Sequence, residues 1–266
     1  MEMQTIMDLL ERFNLDLTGV EGQILSPTRL TVLESLLQET FGEVHIDSAT
    51  RLQSKKNVVL HLSVHSLLPT GPRSLVAKMF IADRYENELE RLKTSFEGGL
   101  RVPEVIAARN GVILMAFIPG ALFVTKINES FDACLVDQLA LWYLKYHNIT
   151  GMIKGDPRLR NFICTDDGLF GVDFEESRKG HWMEDIGGAA ASILDTDPIN
   201  DLRKRKLAWR FLAEYLSHRN ESRDDQTDQL FLETIANTLE QTYHWRLDER
   251  ILILSQEIRT KGIPVE

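Results

Sequence analysis

The chain has 266 residues, 43% of them hydrophobic, enough for one large core or two modest ones, so a soluble globular protein is expected. No apolar run reaches the roughly 18 residues that a spanning helix needs, and the N-terminus MEMQTIMDLLERF is acidic and amphipathic rather than a secretion signal, which points to the cytoplasm and no membrane partner. Forty acidic against thirty basic side chains give a net charge of -10, which argues against nucleic acid as a partner and favours a cationic small molecule.

Ile6, Leu9, Leu10 and Phe13 fall at helical spacing, and Pro27 opens a second helix through about Phe41, so residues 1–41 read as an N-terminal helical extension. From Gly42 the pattern changes to short alternating runs at 43–47, 58–65 and 74–80, read as three antiparallel strands joined by loops at 53–57 and 68–73. Lys78 interrupts the third run among Val76, Ala77, Met79 and Phe80; a buried ammonium is costly unless paired, so it needs a partner. The helix that follows carries an apolar stripe of Tyr85, Leu89, Leu92 and Phe96, flanked at similar angles by Glu86 and Glu88. Two more strand candidates are 101–106 and 111–120, the second running into an extended segment and then Gly120, which marks a border between a first region, 42–119, and a mainly helical region, 120–266. Within the latter, 131–147 has the near-continuous apolar character of a buried helix, and His147 near its end reads as a core or helix-terminus group. Cys134 and Cys164 stand in apolar contexts without metal-ligand spacing and read as buried reduced thiols. The basic run at 203–206 reads as a solvated helix face.

The most informative stretch is TGMIKGDPRLRNFICTDDGLFGVDFEE, residues 150–176. Asp156 follows a Gly and precedes a Pro, which places it in a tight loop, and Asn161 comes five positions later. Residues 162–164 read as a short strand, Asp166-Asp167-Gly168 as a hairpin turn and 169–173 as the returning strand, which brings Asp173 back beside Asp156 and Asn161. Asp185 stands at the start of a further helix, where an acidic side chain is favourable.

Asp156, Asn161 and an Asp after a short hairpin resemble the catalytic loop and metal-binding Asp of the protein-kinase-like superfamily. Because Asp173 is followed by Phe-Glu-Glu, the chain is most similar to the aminoglycoside phosphotransferase and small-molecule kinase branch. The resemblance implies an α+β bilobal fold, with a small antiparallel-sheet N-lobe and a mainly helical C-lobe, and transfer of a phosphoryl group from ATP to a hydroxyl of a small molecule. It makes Asp156 the group that orients the acceptor hydroxyl and takes its proton, and Asn161 and Asp173 the holders of Mg2+. Lys78 becomes the strand lysine that meets the nucleotide phosphates and pairs with a helix Glu, Glu88 by preference and Glu86 as the alternative. The loop with Ser54, Lys55 and Lys56 would cover the phosphates without a glycine, and backbone around Met115, Ala116 and Phe117 would meet adenine. Asp185 would brace the catalytic loop. One departure is Lys154, where the family usually has His; an ammonium there pairs with a carboxylate or sits near phosphate. Two other readings follow from the same likeness: an atypical Ser/Thr protein kinase, and a nucleotide-binding pseudokinase with a regulatory role.

Overall fold

The computed structural model describes residues 17–18, 22–54, 56–66, 73–82 and 84–265, so the helix expected over residues 3–13 lies outside the described residues. The chain divides into two compact units, Met1–Lys93 with Pro103–Ile118, and Thr94–Val102 with Pro119–Glu266.

In the first unit, α1 (Pro27–Phe41) starts on Pro27, whose fixed φ suits a first helical position, and stops at Gly42 with a φ of 72°. Five strands follow: β1 (Val44–Leu52), β2 (Val58–Ser66), β3 (Arg73–Met79), β4 (Val105–Arg109) and β5 (Val112–Ala116). They form one antiparallel sheet in the order β1-β2-β3-β5-β4. Strand β2 shows why: Val58, Leu60, Leu62 and Val64 alternate inward with period two. They pack with Leu30, Leu33, Leu36, Leu37 and Phe41 of α1 in one apolar core. Each fully buried Leu there contributes about 1.5–3 kcal/mol. Helix α2 (Tyr85–Glu97) follows β3; Leu92 is buried, but Phe96, expected on the apolar stripe, is 45% exposed.

The second unit holds a three-stranded antiparallel sheet, β6 (Ala121–Leu122), β7 (Phe162–Thr165) and β8 (Gly168–Gly171), in that order. Its helices are α3 (Phe123–Ser130), α4 (Ala133–Thr150), α5 (Met183–Leu194), α6 (Leu202–Arg219), α7 (Asp225–Arg246) and α8 (Glu249–Lys261). Four of them start on an Asp whose carboxylate accepts a first-turn N–H: Asp132, Asp201, Asp224 and Asp248. An aromatic cluster fills the centre, with Trp142 stacked on Tyr146 at 5.4 Å and edge-on to Phe162 at 5.0 Å. The whole is an α+β chain. Among the described residues no helix is long and apolar enough to cross a membrane.

Three sequence readings change. Cys134 is exposed and Cys164 half-buried, both free, because Cys134 lies in the first turn of α4 on its outward side. Lys204 in the basic run is buried; its stem packs in α6 and its Nζ donates to the carbonyl and hydroxyl of Thr196 at 2.5 and 2.9 Å. Helix α3 and strand β6 were not expected, since FVTKINES mixes polar residues into too short a window for a period to show.

Candidate active site

The loop after α4 is built around a buried acid. Asp185, in the first turn of α5 and fully buried, accepts the backbone N–H groups of Lys154 at 2.6 Å and Gly155 at 2.9 Å. His147 Nε2 also meets it at 2.9 Å, and His147 Nδ1 meets the Tyr215 hydroxyl at 2.7 Å, so this histidine orients the brace from within the core. Gly155 has a φ of 78°, and a Cβ there would strike the Glu176 carbonyl, so the turn into Asp156 demands glycine. Gly188 of α5 lies against Pro157 so closely that no side chain fits between them. The segment after Asp173 returns to the loop: Ile153 and Arg178 exchange both backbone hydrogen bonds, at 2.8 and 3.1 Å.

Lys154 holds the centre. Its Nζ, with no solvent exposure of the residue, donates to the backbone carbonyls of Asp156 at 3.0 Å and Asp173 at 2.8 Å. The ammonium also lies 5.7 Å from the Phe162 ring and 5.3 Å from that of Phe174. Through these main-chain acceptors it ties the two Asp-bearing segments together, and its charge acts on the Asp156 carboxylate. Asn161 closes the turn: its side-chain amide donates to the Asp156 carbonyl at 3.3 Å, and its own carbonyl accepts from Val172 N–H at 2.9 Å. Val172 precedes Asp173, so Asn161 and Asp173 stand side by side. Asp173 has a φ of 64°, a left-handed conformation that costs a non-Gly residue energy and tends to occur where geometry is functional.

Asp156 is 8% exposed, and burial pushes its carboxyl pKa up. Hydrogen bonds from Arg158 and the charge of Lys154 outweigh that, and the net shift is downward. Arg158 grips the carboxylate with both arms, Nε to Oδ1 at 2.6 Å and Nη2 to Oδ2. Arg158 was not singled out from sequence, although an Arg two positions after an Asp in a proline-fixed turn is the signal that could have found it.

In the first unit, Lys78 Nζ donates to Glu88 Oε2 at 2.6 Å, with side-chain exposures of 8% and 2%. Glu86 is exposed, so of the two candidates the structure pairs Glu88 with the lysine. Ser54 Oγ accepts from Asn57 N–H at 3.3 Å and so closes its own loop, while Lys55 lies outside the described residues. The adenine expectation needs correction in one respect. The N–H of Phe117 donates to Ser74 and that of Ala116 to Glu104, at 3.2 and 2.9 Å, and Met115 is paired on both sides by β3 and β4. Central-strand pairing consumes these donors, so neither Ala116 nor Phe117 offers an N–H to a ligand.

No protein-family model and no curated protein matches the sequence. Solved structures do. An amicoumacin kinase, in complex with AMP-PNP, Ca2+ and Ami, aligns over 90% of this chain and 95% of its own at 12% identity, with a TM-score of 0.60. The fold is that of the protein-kinase-like small-molecule kinases. Choline kinase from Cryptosporidium parvum Iowa II aligns over 88% and 97% at 11% identity with a TM-score of 0.54. An aminoglycoside 2′-phosphotransferase IIIa in a GDP complex does so over 87% and 96% at 12% with a TM-score of 0.53. At such identities the kinase-like fold is what the likeness carries, and it spans nearly the whole chain.

Proposed function

We propose that this protein transfers the γ-phosphoryl group of ATP to a hydroxyl group of a small molecule. The observation that carries the reading is the convergence on one turn of Asp156, Asn161 and the strained Asp173, tied by Lys154 and Asp185. Phosphoryl transfer asks a protein for positioned charge more than for covalent chemistry, and this turn supplies it. Asp156 accepts the proton of the acceptor hydroxyl as its oxygen bonds to the γ-phosphorus; the bond to the bridging oxygen breaks and ADP leaves. Asn161 and Asp173 offer adjacent hard oxygen atoms, the donor set that suits Mg2+, which when bound neutralises phosphate charge. Lys78, held by Glu88, takes the role of the phosphate-binding lysine. Support for nucleotide and metal comes from the AMP-PNP, Ca2+ and GDP found in relatives of this fold.

A small acceptor is favoured over a protein because only residues 174–182 separate Asp173 from α5, too few for a long peptide-binding segment. The test is incubation with γ-labelled ATP, Mg2+ and a metabolite panel, followed by separation of label in small phosphoesters from label in protein. Label in a small phosphoester supports the proposal. Label on Ser or Thr of protein points to a protein kinase, and nucleotide binding without any transfer to a regulatory pseudokinase.

A further inference from the structure

Three guanidinium groups gather near Asp156 in the second unit. Arg158 and Arg160 flank Leu159 in a single 3₁₀ turn, Leu159–Asn161. The Leu159 N–H donates to Ser192 Oγ of α5 at 3.2 Å, which seats that turn on the last turn of the helix. One turn further, Asp195 ends α5 and receives Arg246 from the end of α7, on its carbonyl and on Oδ2, both at 3.3 Å. Arg158, Arg160 and Arg246 therefore hang from one helix end. Two have their carboxylates, Asp156 and Asp195. Arg160 makes no hydrogen bond or ion pair among the described residues. Arg160 is exposed, and the charges acting on it are the like charges of Arg158 and Arg246 and the opposite charges of Asp156 and Asp173. Glu176 also faces Arg158, and Lys154 adds a further cation beneath the loop.

An exposed guanidinium beside two others, without a partner of its own, is a site for an anion. We propose that the acceptor carries an anionic group, carboxylate or phosphate, close to its reacting hydroxyl, and that Arg160 binds it with Arg158 beside it. This rests on the kinase reading above, and it sets the local charge against the net acidity of the whole chain, which favours a cationic acceptor. It also gives Arg158 a use. In the protein without acceptor, both oxygens of Asp156 are engaged by Arg158. An acceptor anion competes for that guanidinium and frees an oxygen to receive the hydroxyl proton.

The experiment sorts hydroxyl compounds into hydroxy acids, phosphorylated alcohols, neutral alcohols and amino alcohols, with Mg2+-ATP and the full chain. Transfer is expected to hydroxy acids or phosphorylated alcohols, and the class that reacts tells carboxylate from phosphate. For the best acceptor, Arg160→Gln is expected to lower kcat/KM at least about tenfold, mainly through KM, with part recovered in Arg160→Lys. For a carboxylate acceptor, the uncharged amide is expected to lose as much in the wild type and no more in Arg160→Gln. Transfer confined to neutral or amino alcohols overturns the proposal while leaving the kinase reading intact, and so does equal loss in Arg160→Gln for acid and amide. Absence of any ATP-dependent phosphate release by the wild type, even to water, would instead take away the kinase reading itself.

Discussion

Replacing Lys154 by Met probes the centre of the loop with little change in volume. The ammonium makes two charge-assisted bonds, to the carbonyls of Asp156 and Asp173. Such bonds contribute about 1.5–3 kcal/mol each, and loss of the donor removes both, leaving the Asp156 carbonyl to the Asn161 amide at 3.3 Å. Against this, Met no longer has to be stripped of water as an ion, a gain of several kcal/mol for a residue with no solvent exposure. The balance is a loss of about 2–4 kcal/mol in urea unfolding, read from the fluorescence of Trp142 in the adjoining aromatic cluster. A second consequence separates this from plain loss of packing. Lys154 is one of the charges holding the Asp156 pKa down, so its removal lets burial raise that pKa. The base must be ionised to act, so the acid limb of the kcat/KM profile is expected to move to higher pH. Stability within 1 kcal/mol of the wild type together with an unmoved acid limb would refute this view of the ammonium.

Other substitutions bear on the remaining parts. Glu88→Ala removes the carboxylate paired at 2.6 Å with the Lys78 ammonium in a site 8% exposed and is expected to cost about 3–5 kcal/mol in urea unfolding, with Lys78→Met in the same chain recovering much of it. Asp173→Ala is expected to weaken metal-dependent nucleotide binding, and calorimetry finding unchanged Mg2+-ATP affinity would contradict its assignment. Asp195 governs a pH effect on stability. Burial raises its pKa to about 6, against the pull of Arg246 and Lys204, so between about 4 and 6 the folded state holds a proton that the unfolded chain has released. Stability should therefore fall by about 2–3 kcal/mol as pH rises through that window. Asp195→Asn is expected to flatten the decline in melts taken at pH 4 and pH 7, and an unchanged slope would sink the assignment.

Much of this was legible in the sequence where local chemistry and tertiary structure agree. Alternation in 58–65 gave β2 because that strand has one face on a core, and Asp-Asp-Gly marked the β7–β8 turn because few other tripeptides suit it. Lys78 was visible as an ammonium among apolar neighbours, but the choice of Glu88 over Glu86 needed the helix in place, since both flank the same stripe. The tie that Lys154 makes to the Asp156 and Asp173 carbonyls was hidden because main-chain acceptors are supplied by any residue. Phe117 misled in the opposite sense: its strand was recognised, but whether its N–H is spent depends on a neighbour, Ser74, more than forty positions away. Lys204 was misread because charge runs are usually solvated, and its hydrogen-bond partner Thr196 belongs to a loop with no pattern of its own.

The measurement that bears most directly on the assigned chemistry compares Asp156→Ala with the wild type, in γ-labelled phosphate transfer to the best small acceptor and in Mg2+-ATP affinity. A general base contributes about 10²- to 10⁴-fold. Loss of transfer within that range at unchanged nucleotide affinity is the expected result. Transfer at the wild-type rate by Asp156→Ala would contradict the mechanism, whatever the acceptor proves to be.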